Sequence, residues 1–213
     1  MASNLYFYGY ENLEDIIDYI DKYENVYCKY HTDFTQYTVK VYRKDLQKLD
    51  GCLVNLYSKV EIINFIIIPK LKIISVITEK YSYIKNFYNS NKLLKINLLN
   101  NNTFYTIFEN KFSNNLMKLS MSTENLNAII NEIELIGSEL HKSDILYNMN
   151  SYIFDKSTHL NKYSFKPTDY NFIINVTSTN KIEIRDNKAK KEDIIRFTYE
   201  FISYLAIYGG LHE

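Results

Sequence analysis

Residues 60–79, "VEIINFIIIPKLKIISVITE", constrain this chain more than any other stretch. β-Branched side chains dominate both halves. They lose rotamer freedom in a helix and pack well on a pleated surface. Pro69, which has no N–H to give a ladder, marks the break with Lys70. The segment therefore reads as two strands, central or near-central in a sheet. Its longest apolar run, "IINFIIIP" at 62–69, is far too short to span a bilayer.

Glycine and proline are scarce, 5 and 2 residues, so element boundaries come from periodicity and asparagine clusters. Residues 5–10 alternate as a strand, placing Tyr6, Tyr8 and Tyr10 on one face and Phe7 on the other. Asn12 is a suitable N-cap for a helix near 12–23, with Leu13, Ile16, Ile17 and Ile20 on one face. "NVYCKY" and "YTVKVY" read as strands joined through "HTDFTQ". The second sets Tyr37, Val39 and Val41 against Thr38, Lys40 and Tyr42. Residues 93–109 read as a hairpin turning on three asparagines, and "LMKLSMS" as a further strand.

A helical period returns near 123–140, where Leu126, Ile129, Ile130, Ile133 and Ile136 form a stripe. A second hairpin falls near 170–186. A final helix near 190–208 ends at Gly209 and Gly210, which suit a left-handed stop. Strands in long stretches, broken by about three helices and without βαβ alternation, predict an α+β fold with a mainly antiparallel sheet. The 213 residues suit a single domain over 1–213, long enough to bury a core without disulfide or metal.

The composition speaks of origin. Ile, Asn, Lys, Tyr, Phe and Met together supply 112 of 213 residues, whereas Gly, Ala, Arg and Pro supply 14. Lysine outnumbers arginine 22 to 3, although both carry the same charge. Selection for a fold does not generate these biases together; an A/T-rich genome does, such as that of a virus, phage, plasmid or low-GC cell. The abundance of tyrosine is discounted accordingly.

Net charge is zero, but it is segregated: −3 over residues 1–50, +6 over 51–120 and −3 over 121–180. Between Glu79 and Glu109 there is no acid. There "KYSYIKNFYNSNKLLK" interleaves Lys80, Lys85, Lys92 and Lys95 with Tyr81, Tyr83, Phe87 and Tyr88. Lysines neutralise phosphates and aromatic faces stack on unpaired bases, so these eight residues are the candidates for single-stranded RNA or DNA.

Established catalytic motifs are missing. There is no GxGxxG, no phosphate-loop lysine motif, no GxSxG and no HExxH. Cys28 and Cys52 are isolated; His31 lies three residues after Cys28, which is half a metal site, and neither a metal nor another cofactor is expected. A metal-dependent nuclease arrangement is met only poorly by Asp169 with Glu183 and Arg185. Metal-free RNA cleavage needs one acid and one base, for which Glu11 and His212 are the pair to test.

Two functions follow as expectations. The first is a non-enzymatic interaction protein that binds a host or partner protein, inhibitory or immunity-type in action. The alternative is a small nucleic-acid-binding or RNA-cleaving protein using the Lys/Tyr patch and the Glu/His pair. No basic-then-apolar leader opens the chain, so the expected setting is cytoplasmic, without a membrane.

Overall fold

A computed structural model describes residues 3–49, 52–109, 112–113, 115–123, 132–138, 140, 158–178, 180–185, 189–209 and 211. The fold is α+β with antiparallel strand pairing, as its alternating patterns predict, and it has four helices among the described residues. Its contacts divide into two compact units, residues 9–93 and residues 1–8 with 94–213. Strand β1 (Ser3–Tyr10) passes from one into the other.

The unit of residues 9–93 holds α1 (Leu13–Asp21), β2 (Val26–Tyr30), β3 (Thr35–Leu49), β4 (Cys52–Ile68), β5 (Ile73–Thr78) and α2 (Tyr81–Ser90). Its strands lie in the order β2-β3-β4-β5. Asn12 caps α1 through its Oδ1, which accepts from the Glu14 N–H at 3.1 Å. Pro69 opens a short 3-10 turn that ends at Lys72 in the left-handed region (φ 54°), and β5 then returns along β4. Cross-strand register puts Val39, Ile63, Phe65 and Val76 on one face, all buried. Phe87 of α2 lies 5.3 Å from Phe65 and 5.1 Å from Tyr19 of α1, so the two helices and this face make one core.

The other unit holds β6 (Leu93–Lys95, shared at its first residue), α3 (Asn101–Glu109), β7 (Asn115–Thr123), β8 (Glu132–Ile136), β9 (Thr158–Lys166), β10 (Ile173–Ser178), β11 (Lys181–Arg185) and α4 (Lys191–Ile207). Here the order is β1-β11-β10-β9-β7-β8, with β6 also pairing with β1. The pairings align Leu5, Ile182, Val176, Tyr163 and Leu119 in one row, and Ile184, Ile174, Phe165 and Leu116 in the next. All nine are buried. α4 contributes Phe197 and Phe201, stacked at 5.4 Å, and Phe201 meets Phe7 at 6.1 Å and Phe165 at 6.3 Å. The opposite face carries Asn4, Glu183, Asn175, Ser164 and Lys118 in one cross-strand row.

Two expected elements are corrected. Residues 93–109 are not a hairpin: the three-residue β6 is followed by helix α3. The asparagines cap rather than turn. Asn100 Oδ1 accepts from the Thr103 N–H at 2.6 Å and the Asn100 carbonyl accepts from the Phe104 N–H at 3.2 Å. Thr103, Phe104, Thr106 and Ile107 then form a buried helical face. The helix expected near 123–140 is also overturned where it is described, because residues 132–136 form β8 in register with β7. Ile133 and Leu135, half-buried, alternate with exposed Glu134 and Ile136 on a period of two, and the Gly137 N–H closes the ladder on the Met117 carbonyl at 3.0 Å. Residues 124–131 lie outside the described set. The hairpin near 170–186 forms as β10 and β11, and the last helix ends at Gly209 with φ +79°.

Burial raises several phenol pKa values. Tyr37 is pushed from 10.0 to about 12, first by burial and then by Cys28. Tyr163, fully buried, donates to the Leu98 carbonyl at 2.8 Å and is raised further. A folded pKa above the unfolded one means that stability is intact below pH 10 and declines as pH rises toward 12. Each such group contributes a slope of up to about 1.4 kcal/mol per pH unit there. Urea unfolding at stepped pH should show that decline, with Tyr37→Phe making it shallower. Asn12→Ala should cost about 1 kcal/mol in the same assay at neutral pH, and Asn12→Asp little.

Candidate functional site

β3 and β4 share fifteen registered pairs, from Thr35↔Ile67 to Leu49↔Cys52, with one irregularity after Arg43. β2 accompanies β3 only as far as Val39, and β5 accompanies β4 only from Asn64. Past those points the hairpin continues as a two-stranded ribbon with no third strand on either side among the described residues. At about 3.3 Å per residue, the ten residues Lys40–Leu49 reach roughly 30 Å.

The root of this ribbon exposes a cluster of large side chains. Lys40 stands opposite Ile62, and Tyr42 opposite Val60, so all four share a face. Tyr42, Val60 and Ile62 are 42%, 46% and 44% exposed, although they sit mid-ladder. The flanking strands stop short of them. Tyr27 of β2 adds its ring, with Lys40 Nζ 4.8 Å from the centroid.

Beside this cluster, where the C-terminal end of α1 meets the ribbon, lies an open cleft of about 560 Å³. Lys22, Tyr23, Glu24, Lys40 and Tyr42 are in its lining. The Tyr23 hydroxyl lies 3.3 Å from that of Tyr19, whose phenol is held above its usual pKa by burial and then by Tyr23. No histidine, cysteine, serine or threonine is among the described lining residues. The walls thus supply two cations, a carboxylate, two phenols and apolar surface.

The sequence-predicted residues fall in several places. Lys80, at the N-cap of α2, pairs with the carboxylate of Glu61, and the hydroxyl of Tyr83 in α2 donates to Glu61 Oε2 at 2.6 Å. Glu61 is nearly buried, its side chain 9% exposed, so both residues fasten the helix to β4. Phe87 is a core ring. Tyr81 opens the helix. Lys85, Tyr88 and Lys92 are exposed in the same unit, whereas Lys95, also exposed, belongs to the other unit. Glu11 is exposed in the turn between β1 and Asn12, and its expected partner His212 lies outside the described residues.

Among the described residues no three or more of His, Cys, Asp and Glu cluster as a metal site. His31 stacks on Phe34 at 4.1 Å, and Glu183 binds Lys181 at 2.7 Å. A smaller cleft of about 330 Å³ beside α4 is lined by Asp169, Tyr170, Asp193 and Arg196. There Glu200 receives both the Tyr170 hydroxyl and Arg196 Nε, a tie between a loop and α4. Among the described residues no helix is long and apolar enough to cross a membrane. Comparison of the chain with protein families, curated proteins and solved structures gave no match.

The ribbon-root cluster was missed in the sequence because Val60 and Ile62 belong to a run that reads as buried throughout. The available signal was the alternation of Thr38, Lys40 and Tyr42, which placed Tyr42 on the non-core face.

Glu61→Ala should destabilise the chain by about 1–3 kcal/mol in urea unfolding, since Lys80 and Tyr83 lose a charged, nearly buried acceptor. Lys85→Ala, at an exposed position, should change stability by less than about 0.5 kcal/mol.

Proposed function

We propose that this chain is a non-enzymatic protein-binding module that seats a host or partner protein on the root of the β3–β4 ribbon. It acts by occlusion, in the manner of an inhibitor or immunity protein. The observation that carries this reading is the exposed cluster of Tyr42, Val60 and Ile62 beside the cleft. Exposed aromatic and aliphatic side chains grouped in one place, with cations at the rim, match the make-up of interface centres. The A/T-rich composition supports an origin in a virus, a mobile element or a low-GC cell, and a cytoplasmic setting goes with it.

The nucleic-acid alternative is left with a reduced set. Lys80, Tyr83 and Phe87 are engaged in holding α2, so Lys85, Tyr88 and Lys92 are the candidates that are exposed within its unit.

Two measurements separate the readings. Wild-type protein and a Tyr42→Lys, Ile62→Lys variant are used as baits in a lysate of the source cell or its host. One stoichiometric protein should be retained by the wild type and lost from the variant, a loss of at least about 2 kcal/mol in affinity. Lys85→Ala, Lys92→Ala should retain it. Anisotropy of labelled single-stranded RNA at low and raised salt gives the counter-test. Salt-sensitive RNA binding that disappears in Lys85→Ala, Lys92→Ala, without any retained protein, overturns the proposal.

A further inference from the structure

Among the described residues strand β2 is paired on one side only, and the backbone phase of its outer edge is determined. The Lys40 N–H donates to the Asn25 carbonyl at 3.0 Å, and the His31 N–H to the Phe34 carbonyl at 3.0 Å. Bonding residues alternate along an antiparallel strand, so Asn25, Tyr27, Lys29 and His31 turn their backbone groups toward β3. Val26, Cys28 and Tyr30 turn theirs outward. The side chains do not shield this edge: Tyr27 is 56% exposed and Tyr30 79% exposed, with Cys28 and Lys29 also exposed.

We propose that this edge pairs with the same edge of a second copy of the chain, antiparallel and two-fold about Cys28. The occupant follows from the self-complementarity of "VYCKY". In that register Val26 faces the partner's Tyr30, Cys28 faces the partner's Cys28, and Tyr27 faces the partner's Lys29. All three outward residues of each copy are bonded, the lysines are kept apart, and each ammonium meets a phenol ring. The two Val–Tyr pairs join an aromatic to a β-branched side chain on the face that carries Tyr37 and Val39. Sliding two residues one way leaves Tyr30 outside the ladder. Sliding the other way sets Lys29 against Lys29, which is unfavourable. Charge and backbone phase therefore select one register.

The contact is short, so the dimer is concentration-dependent. It is independent of the partner-binding reading and is tested on the purified full chain alone. Sedimentation across a concentration series should move from the 25.4 kDa chain mass to twice that value. Cys28→Pro removes the thiol and an outward N–H but no β2–β3 ladder bond, because the Cys28 backbone does not bond to β3, and should hold the chain as a monomer with an unchanged circular dichroism spectrum. In a Cys52→Ser variant, oxidation with diamide should link two chains through Cys28. Cα atoms of a directly opposed bonded pair lie about 5.5 Å apart, within disulfide range. A monomer at every concentration overturns the proposal. So does a dimer that survives Cys28→Pro, or one in which Cys28 does not link. Should Cys28→Pro misfold, the diamide result decides alone.

Discussion

An antiparallel ladder commits both faces of every strand at once, and each unit of this protein is organised by that constraint. Side chains alternate with a period of two, so one register decides which residues are core and which are not. In the unit of residues 1–8 and 94–213 it separates Leu5, Ile182, Val176 and Tyr163 from Asn4, Glu183, Asn175 and Ser164. The apolar rows receive α4. Buried members of the polar row satisfy one another, as where the Ser164 hydroxyl donates to Asn175 Oδ1 at 2.7 Å.

The same constraint in residues 9–93 produces a surface. The β3–β4 ladder outruns both neighbours, and its outward face keeps the apolar character of a strand that would be covered if the sheet were wider. Tyr42, Val60 and Ile62 are exposed because β2 begins only at Val26, opposite Val39, and β5 ends at Thr78, not because their own residue types call for water. On the core face of the same ribbon, Glu61 takes up Lys80 and Tyr83 and so docks the first turn of α2. One ladder therefore presents the candidate binding surface and withdraws two residues of a competing one.

Local pattern was a sound guide wherever one period was unambiguous. Tyr37, Val39 and Val41 opposite Thr38, Lys40 and Tyr42, the Asn12 cap, and the stripe of Ile194, Phe197, Phe201 and Leu205 all correspond to what forms. It misled where residue types serve two structures equally. Asparagine tolerates left-handed turns and also caps helices, and at Asn97–Asn102 the capping bonds prevail. Ile133 and Ile136 fit a helical stripe, yet residues 132–136 gain a ladder with β7, an advantage that depends on residues distant in sequence. The lysine–tyrosine segment has the composition of a nucleic-acid surface, but composition does not reveal that a nearly buried carboxylate from β4 lies against it.

The sequence by itself determined the α+β class, the antiparallel pairing, the joined strands β2 and β3, the hairpin at β10–β11, and the approximate limits of α1 and α4. These depend on periodicity and caps, which act over a few residues. Only the tertiary structure decided where, among the described residues, each strand's neighbours end, and hence that Tyr42, Val60 and Ile62 are exposed, Phe87 is core, and Val26, Cys28 and Tyr30 turn their backbone away from β3. Exposure depends on where another segment ends, and no local pattern carries that distance.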